Sequence, residues 1–486
     1  MRRMRPSLLA LAAGLALTGC AVGPPYQRPD APTSPTYKEA PTDGGATWFP
    51  AAPADAIDRG DWWRLFGDPE LSRLAAQVDS ANQTVAAAVA SYRQAQALVR
   101  EARASYFPTA SLSLGAQRSG GGRSGTTSSS SGTTFDASVG ADWAPDFWGR
   151  VSGTVEGARA NEQATAADLA SARLSAQGEM AIDYVALREA DFEADLLTRT
   201  IEAYERALQI TQNRYDAGIV AKTDVLQAQT QLATTRSSLA TVRANRERFE
   251  HAIAVLTGQA PGAFLLPVAP WNDTVPAIPL GVPSALLQRR PDIASAERQV
   301  AAANAQIGVE RSAYFPSLTL SASLGNAGSR IGDLFRVSNA LWTVGASVAQ
   351  TIFDAGAISA RVSGAEASRD AAAARYRQTV LTAFQGVEDQ LTNARSQAEQ
   401  AARLKEASDA ADQTEQQILN RYRAGQLGYT DVVTAQASAL SARRALVQVA
   451  VNRQVTAITL IQALGGGWDV SAPVELEGSV RSDNAP

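Results

Sequence analysis

The strongest constraint on this chain is that it carries one pattern twice. Tyr106-Phe107-Pro108 returns as Tyr314-Phe315-Pro316, 208 residues on. Asn213-Arg214-Tyr215, then Ala217-Gly218, returns 207 residues on as Asn420-Arg421-Tyr422, then Ala424-Gly425. Thr223-Asp224-Val225 returns at the same spacing as Thr430-Asp431-Val432. A period this long excludes a solenoid of short repeats. Each copy reads helix, strand, loop, strand, very long helix, tight turn, helix.

The strands announce themselves by alternation. Leu112, Leu114 and Ala116 are separated by Ser113 and Gly115, and Phe135, Ala137, Val139, Ala141 and Trp143 by Asp136, Ser138, Gly140 and Asp142. The second copy repeats this with Leu318, Leu320, Ala322 and Leu324, then with Trp342, Val344, Ala346 and Val348. Period two predicts strands with one apolar and one polar face, at about 109–118, 134–143, 317–326 and 340–351. About ten residues is the length that crosses a bilayer when tilted. The Gly/Ser/Thr-rich segment 119–133 reads as the loop between the first pair. Tyr106, Phe107, Phe147 and Trp148 flank one end of the first hairpin, and Tyr314, Phe315 and Phe353 the same end of the second. That arrangement fits an interfacial aromatic girdle. A packed aromatic core is the alternative.

Residues 150–217 and 357–424 are each a 68-residue stretch without proline, rich in Ala, Gln, Glu and Arg. As helices they would run about 100 Å. Gly218 and Gly425 are natural C′ residues that end them. Return helices over 223–256 and 430–464 climb back about half that distance. The other half falls to a first helix in each copy. One runs from Pro69, capped by Asp68, to about residue 105; the other runs over about 284–313. Two short helices end to end then match one long one, giving four columns per chain. Pro-rich linker 259–283, the N-terminal region and the C-terminal tail should gather at mid-height. Four strands cannot close a barrel, and an open edge in lipid leaves backbone groups unpaired at several kcal/mol each. Three copies sharing one barrel would supply twelve strands and twelve helical columns around an open channel.

The N-terminus reads as an export signal: basic residues at Arg2, Arg3 and Arg5, then an apolar run over 8–17 too short to span a bilayer. It ends in Leu17-Thr18-Gly19-Cys20, which resembles the bacterial lipoprotein box, with Cys20 as the acylated residue. Cleavage there changes the formal charge from −4 to −7, because three arginines leave 41 basic against 48 acidic residues. Nothing in that balance suggests a nucleic-acid partner. Cys20 is the only cysteine and His251 the only histidine, so no internal disulfide and no His-rich metal site is expected. No phosphate-cradling GxxxxGK[ST] run is present, and three methionines make no metal relay. No catalytic constellation and no cofactor is expected.

This organisation resembles the TolC-type outer-membrane factors, in particular the NodT-like lipoprotein branch that serves resistance–nodulation–division efflux pumps. The resemblance rests on Gly23-Pro24-Pro25-Tyr26, Trp62-Trp63, Phe66, Asp68-Pro69 and Leu71. Most specific is Arg289-Arg290-Pro291-Asp292-Ile293, followed by Ala296-Glu297, Ala303, Ile307-Gly308 and Phe315-Pro316. It implies an α+β membrane protein, a homotrimer with a 12-stranded outer-membrane β-barrel continued by a 12-column periplasmic α-barrel and an equatorial belt. It implies docking to a periplasmic membrane-fusion adaptor and an inner-membrane pump. The chain then divides as signal 1–19, lipidated tether and equatorial segment 20–68, repeat 69–258, equatorial linker 259–283, repeat 284–465 and tail 466–486.

On this reading the hairpin tips, 215–224 and 422–431, form a periplasmic gate. The candidates are Asp224, Asp431, Tyr422, Lys222 and Tyr429. Repeated threefold about an axis, tip carboxylates would favour cations. Asp224 and Asp431 also stand where the helix dipole alone stabilises an acid. Family members close this end with a tyrosine matching Tyr422 and an acid matching Asp224. Here Leu427 stands where some relatives carry arginine, and Thr434 where many carry a second acid. The copies differ at Lys222 against Tyr429 and Asp216 against Arg423. The leading function is a passive exit duct for drugs or other small molecules. The alternatives are an ATP-driven secretion duct and a non-conducting periplasm-spanning lipoprotein.

Overall fold

A computed structural model describes residues 22–32, 36–39, 61–120, 132–276 and 290–466. The expected lipidation residue Cys20, the end of the linker from residue 277 and all of the C-terminal tail beyond residue 466 lie outside the described residues. Helices α1 (Pro69–Ala81) and α2 (Gln83–Ala104) precede strands β1 (Thr109–Ser119) and β2 (Gly132–Trp143), then α3 (Arg150–Asp216) and α4 (Lys222–Leu256). Helix α5 (Pro291–Arg311) leads to β3 (Ser317–Gly328) and β4 (Ala340–Ala349), then α6 (Ala357–Arg423) and α7 (Tyr429–Ala463). Both long helices have 67 residues and both return helices 35.

One expectation fails at Asn82. The first helix is not continuous to residue 105 but breaks into α1 and α2. Asn82 takes extended backbone angles, and its Oδ1 accepts the amides of Thr84 and Val85 at 2.9 and 3.1 Å. Its Nδ2 donates to the Leu256 carbonyl at 2.9 Å. The side chain thus starts a new helix while capping the end of α4, which outweighs continuing α1. Upstream, the Asp68 carboxylate caps α1 by accepting from the amides of Glu70 and Leu71, with Pro69 at the first helical position.

The chain forms two compact units, each drawn from both halves of the sequence. The first takes residues 1–30, 92–165 and 295–376 and holds the sheet. The second takes 31–91, 166–294 and 377–486. Units are not sequential because β2 pairs with β3, joining the two halves within one sheet.

In the first unit the sheet is antiparallel in the order β1-β2-β3-β4. Asp146 and Asp354 turn the chain from strand into long helix. Asp146 accepts the amides of Val151 and Ser152 at 2.9 and 2.7 Å, and Asp354 those of Gly356 and Ile358 at 2.9 and 2.7 Å. These charge-assisted bonds satisfy the first orphan amides of α3 and α6. A strap, residues 22–30, lies along α5: Asn304 donates to the Pro24 carbonyl at 2.9 Å, and Tyr26 donates to Glu297. A methyl group added to Gly23 or Gly308 would stand 3.0 Å from the other's Cα, so these glycines let strap and helix touch backbone to backbone.

In the second unit Leu197, Ile201 and Tyr204 of α3 pack against Leu232, Leu239 and Val242 of α4. A buried ion cluster lies among α3, α4 and the segment beyond. Asp191 accepts from Arg188 at 3.0 Å and from Arg246 at 3.1 Å. Arg246 also pairs with Glu250 at 2.8 Å, and Glu250 accepts the Leu266 amide at 2.6 Å. Arg188 donates to the Pro267 carbonyl at 2.7 Å.

Candidate functional site

The sheet of the first unit has two unlike faces. Paired residues on neighbouring strands point to the same side. One row reads Leu112, Val139, Leu324 and Trp342; the next reads Ala110, Ala141, Ala322 and Val344. The opposite face carries Ser111, Gly140, Ser323 and Thr343, and Thr109, Asp142, Ser321 and Gly345. Most of the apolar face is uncovered: Leu112, Val139, Leu324, Trp342 and Val344 are 52–76% exposed. In water such a face would have to be covered; against hydrocarbon it is already satisfied. The outer edges of β1 and β4 have no partner among the described strands.

The aromatic residues stand where the alternation ends, but they are not equivalent. Phe107, Phe353 and Tyr314 are exposed, as are Tyr106 and Phe147 to a lesser degree. Trp148 and Phe315 instead stack on each other, with centroids 4.8 Å apart and planes 22° apart, and Trp148 Nε1 donates to the Pro316 carbonyl at 2.7 Å. They tie the end of the first hairpin to the start of the second. Trp143 joins the same end through an Nε1 bond to the Tyr106 carbonyl at 3.0 Å. Its place in the alternation was visible in the sequence; the bond that anchors it was not.

In the second unit the hairpin tips turn as glycine requires. Gly218 and Gly425 have φ of 70° and 75°, and the amides of Ile219 and Gln426 bond back to the carbonyls of Arg214 and Arg421 at 2.8 and 3.0 Å. These are Schellman closures. Of the five gate candidates, the fold brings two together. Tyr422 and Tyr429 are 5% and 2% exposed and meet edge to face at 5.5 Å. They pack with Ala228 and Val432, and the Arg214 guanidinium lies 4.7 Å over the Tyr422 ring. Burial, reinforced by Tyr422, pushes the Tyr429 hydroxyl up to about 12. Lys222 and Asp431 are exposed, and Asp224 is half-buried. Both acids sit in the first turn of their helices, while the N-cap positions belong to Ala221 and Gly428, without side-chain capping bonds. The two tyrosines therefore close the second hairpin across its own turn, and Arg214 of α3 and Ala228 of α4 bring the first hairpin against them. The sequence marks Tyr429 only as a difference from Lys222; that Arg214 and Ala228 of the other hairpin pack on the tyrosine pair is decided by the fold.

Sequence reasoning did not find the ion cluster. Its members are three or four residues apart on two helices, a spacing that also describes any solvated helix face. His251 is an exposed residue of α4.

A sheet with an exposed apolar face, whose two hairpins are each followed in the chain by a 67-residue helix, is the architecture of an outer-membrane channel protein. The chain belongs to the outer membrane efflux protein family, matching it over residues 74–259 and again over 282–466. Members of that family are transport channels. Pyoverdine export outer membrane protein OpmQ of Pseudomonas aeruginosa is 33% identical over 456 residues, covering 88% of this chain and 93% of OpmQ. Cation efflux system protein CusC of Escherichia coli is 29% identical over 465 residues, covering 95% and 98%. Among solved structures, the outer-membrane channel OprN superposes with a TM-score of 0.82 at 31% identity, covering 92% of this chain and all of that one. The solved CusC gives 0.81 at 25% identity, covering 92% and 99%.

Proposed function

We propose that this protein is the passive exit duct of a tripartite efflux system, carrying drugs or other small molecules across the periplasm and outer membrane. The observation that carries the reading is the four-stranded sheet with one uncovered apolar face and two unpartnered edges. Three copies, pairing β4 of one chain with β1 of the next, would leave no open edge and enclose the Ser, Thr and Asp face as a wet lumen. The 67-residue helices would extend that lumen as a periplasmic α-barrel. Cys20 would hold each chain to lipid, with the strap on α5 leading back to it. An adaptor and an inner-membrane pump would dock on the periplasmic side and supply the energy. Tip residues Asp224, Asp431 and Lys222, at or near the surface beside the buried tyrosine pair, are the gate groups on this reading.

Light scattering on the purified full-length protein and planar-bilayer recording test this together. The expected result is a particle of three chains that conducts ions. A monodisperse monomer, or a trimer that never conducts, refutes the duct.

A further inference from the structure

The connection from β3 to β4 is unlike the Gly/Ser/Thr connection from β1 to β2. It folds into two short 3-10 turns, Ile331–Phe335 and Val337–Asn339. Asn339 donates to the Asp333 carbonyl at 3.1 Å, and Asp333 accepts the Arg330 amide at 3.2 Å. Yet Ile331, Phe335 and Val337 are 61, 84 and 90% exposed. An ordered loop that presents three large apolar side chains to solvent has an apolar neighbour elsewhere.

The register tells which way this loop leans. Asn326 continues the row of Leu114 and Ala137, on the apolar face, and its Nδ2 donates to the Leu334 carbonyl at 2.5 Å. Gly328 pairs with Phe135 on that same face, and the Asp333 side chain occupies the space a Cβ there would take. The loop is therefore folded over the apolar side of the sheet, not the polar side. In the closed barrel its neighbours on both sides would be β1–β2 connections, whose residues 119–131 include no apolar side chain to cover it.

The charge on this rim is basic. Arg118 lies on the apolar-side row of β1, two residues beyond Ala116, and is exposed. Arg330 and Arg336 flank the turn, with Asp333 the one acid, 3.6 Å from Arg336. Apolar side chains beside surplus guanidinium groups fit the boundary between acyl chains and phosphorylated headgroups.

We propose that residues 330–339 form a membrane foot that seats in the outer leaflet. Ile331, Phe335 and Val337 enter the acyl layer, and Arg118, Arg330 and Arg336 bind the phosphates of an anionic phosphoglycolipid. This rests on the channel reading above, which places this end of the sheet at the outer surface.

The test has two arms on the full-length protein. In vesicles of acyl-brominated phosphatidylcholine, the fluorescence added by Phe335→Trp is expected to be quenched. Trp342, isolated by difference against Trp342→Phe, is the control from the middle of the apolar face. Quenching of Trp342 without quenching of the new tryptophan overturns the foot and puts the loop over the lumen or against another copy. No quenching of either overturns the channel reading, and the foot with it. In the second arm, native mass spectrometry measures retention of diphosphoryl lipid A in detergent. Arg118→Gln, Arg330→Gln and Arg336→Gln together are expected to lower the affinity by roughly fivefold per arginine, with dephosphorylated lipid bound equally by both proteins and inorganic phosphate displacing none. Unchanged retention of the diphosphoryl lipid overturns the phosphate contact.

Discussion

Replacing Asp191 by asparagine removes the charge on which two arginines converge. The Asp191 side chain is 3% exposed, and its two oxygens meet Arg188 and Arg246 at 3.0 and 3.1 Å. Arg246 keeps Glu250 at 2.8 Å after the change, but Arg188 keeps only the Pro267 carbonyl as a close acceptor outside its own helix. Arg188 Nε already lacks a partner, so the cluster holds no spare acceptor. Breaking a buried pair from one side costs about 3–5 kcal/mol. The Leu266 amide reports the loss, because it donates to Glu250 within the same cluster at 2.6 Å. At about 1.36 kcal/mol per decade, its hydrogen exchange should accelerate at least roughly a hundredfold. Arg188→Met combined with Asp191→Leu should cost less than Asp191→Asn alone, since no unpaired buried charge remains. Exchange at Leu266 within tenfold of the parent, or a double variant worse than the single, would refute the electrostatic account.

Three further outcomes follow from the fold and the sequence. Burial and the nearby Glu193 raise the Glu189 carboxyl from 4.5 to about 7, so the folded chain holds a proton that the unfolded chain has released. This contribution is full below about 4.5 and is lost as pH rises towards 7. Glu189→Gln should therefore flatten the fall in melting temperature across that window. Asp183, raised to about 6 by burial and Glu179, retains part of the slope; identical slopes in parent and variant contradict the assignment. Asp431→Ala should weaken block of the pore by divalent cations in planar bilayers, and unchanged block means that this carboxylate does not face the ion path. Cys20→Ser should abolish acylation while leaving the assembly intact, and full lipid mass on the variant by mass spectrometry would rule out that thiol as the attachment site.

The sequence by itself determined the elements and their order. Period-two alternation has no stable reading other than a two-faced strand, and a proline-free 68-residue stretch of good helix formers has none other than a long helix. Glycine at 218 and 425 determined the turns, because only it adopts positive φ without strain. Local signals also located Asp68 as a cap but missed Asn82, whose side chain serves two helices, one of them 174 residues away. What only the tertiary structure decided is which faces meet. Arg188, Asp191, Arg246 and Glu250 look like any solvated charges until α3, α4 and residues 266–267 enclose them. Tyr422 and Tyr429 face each other across one turn, but their burial against Arg214 and Ala228 needs the two hairpins side by side. The side towards which the 330–339 loop folds depends on register, and a shift of one residue would have reversed it. Periodicity is written in neighbouring residues; partnership between distant ones is settled only where their surfaces touch.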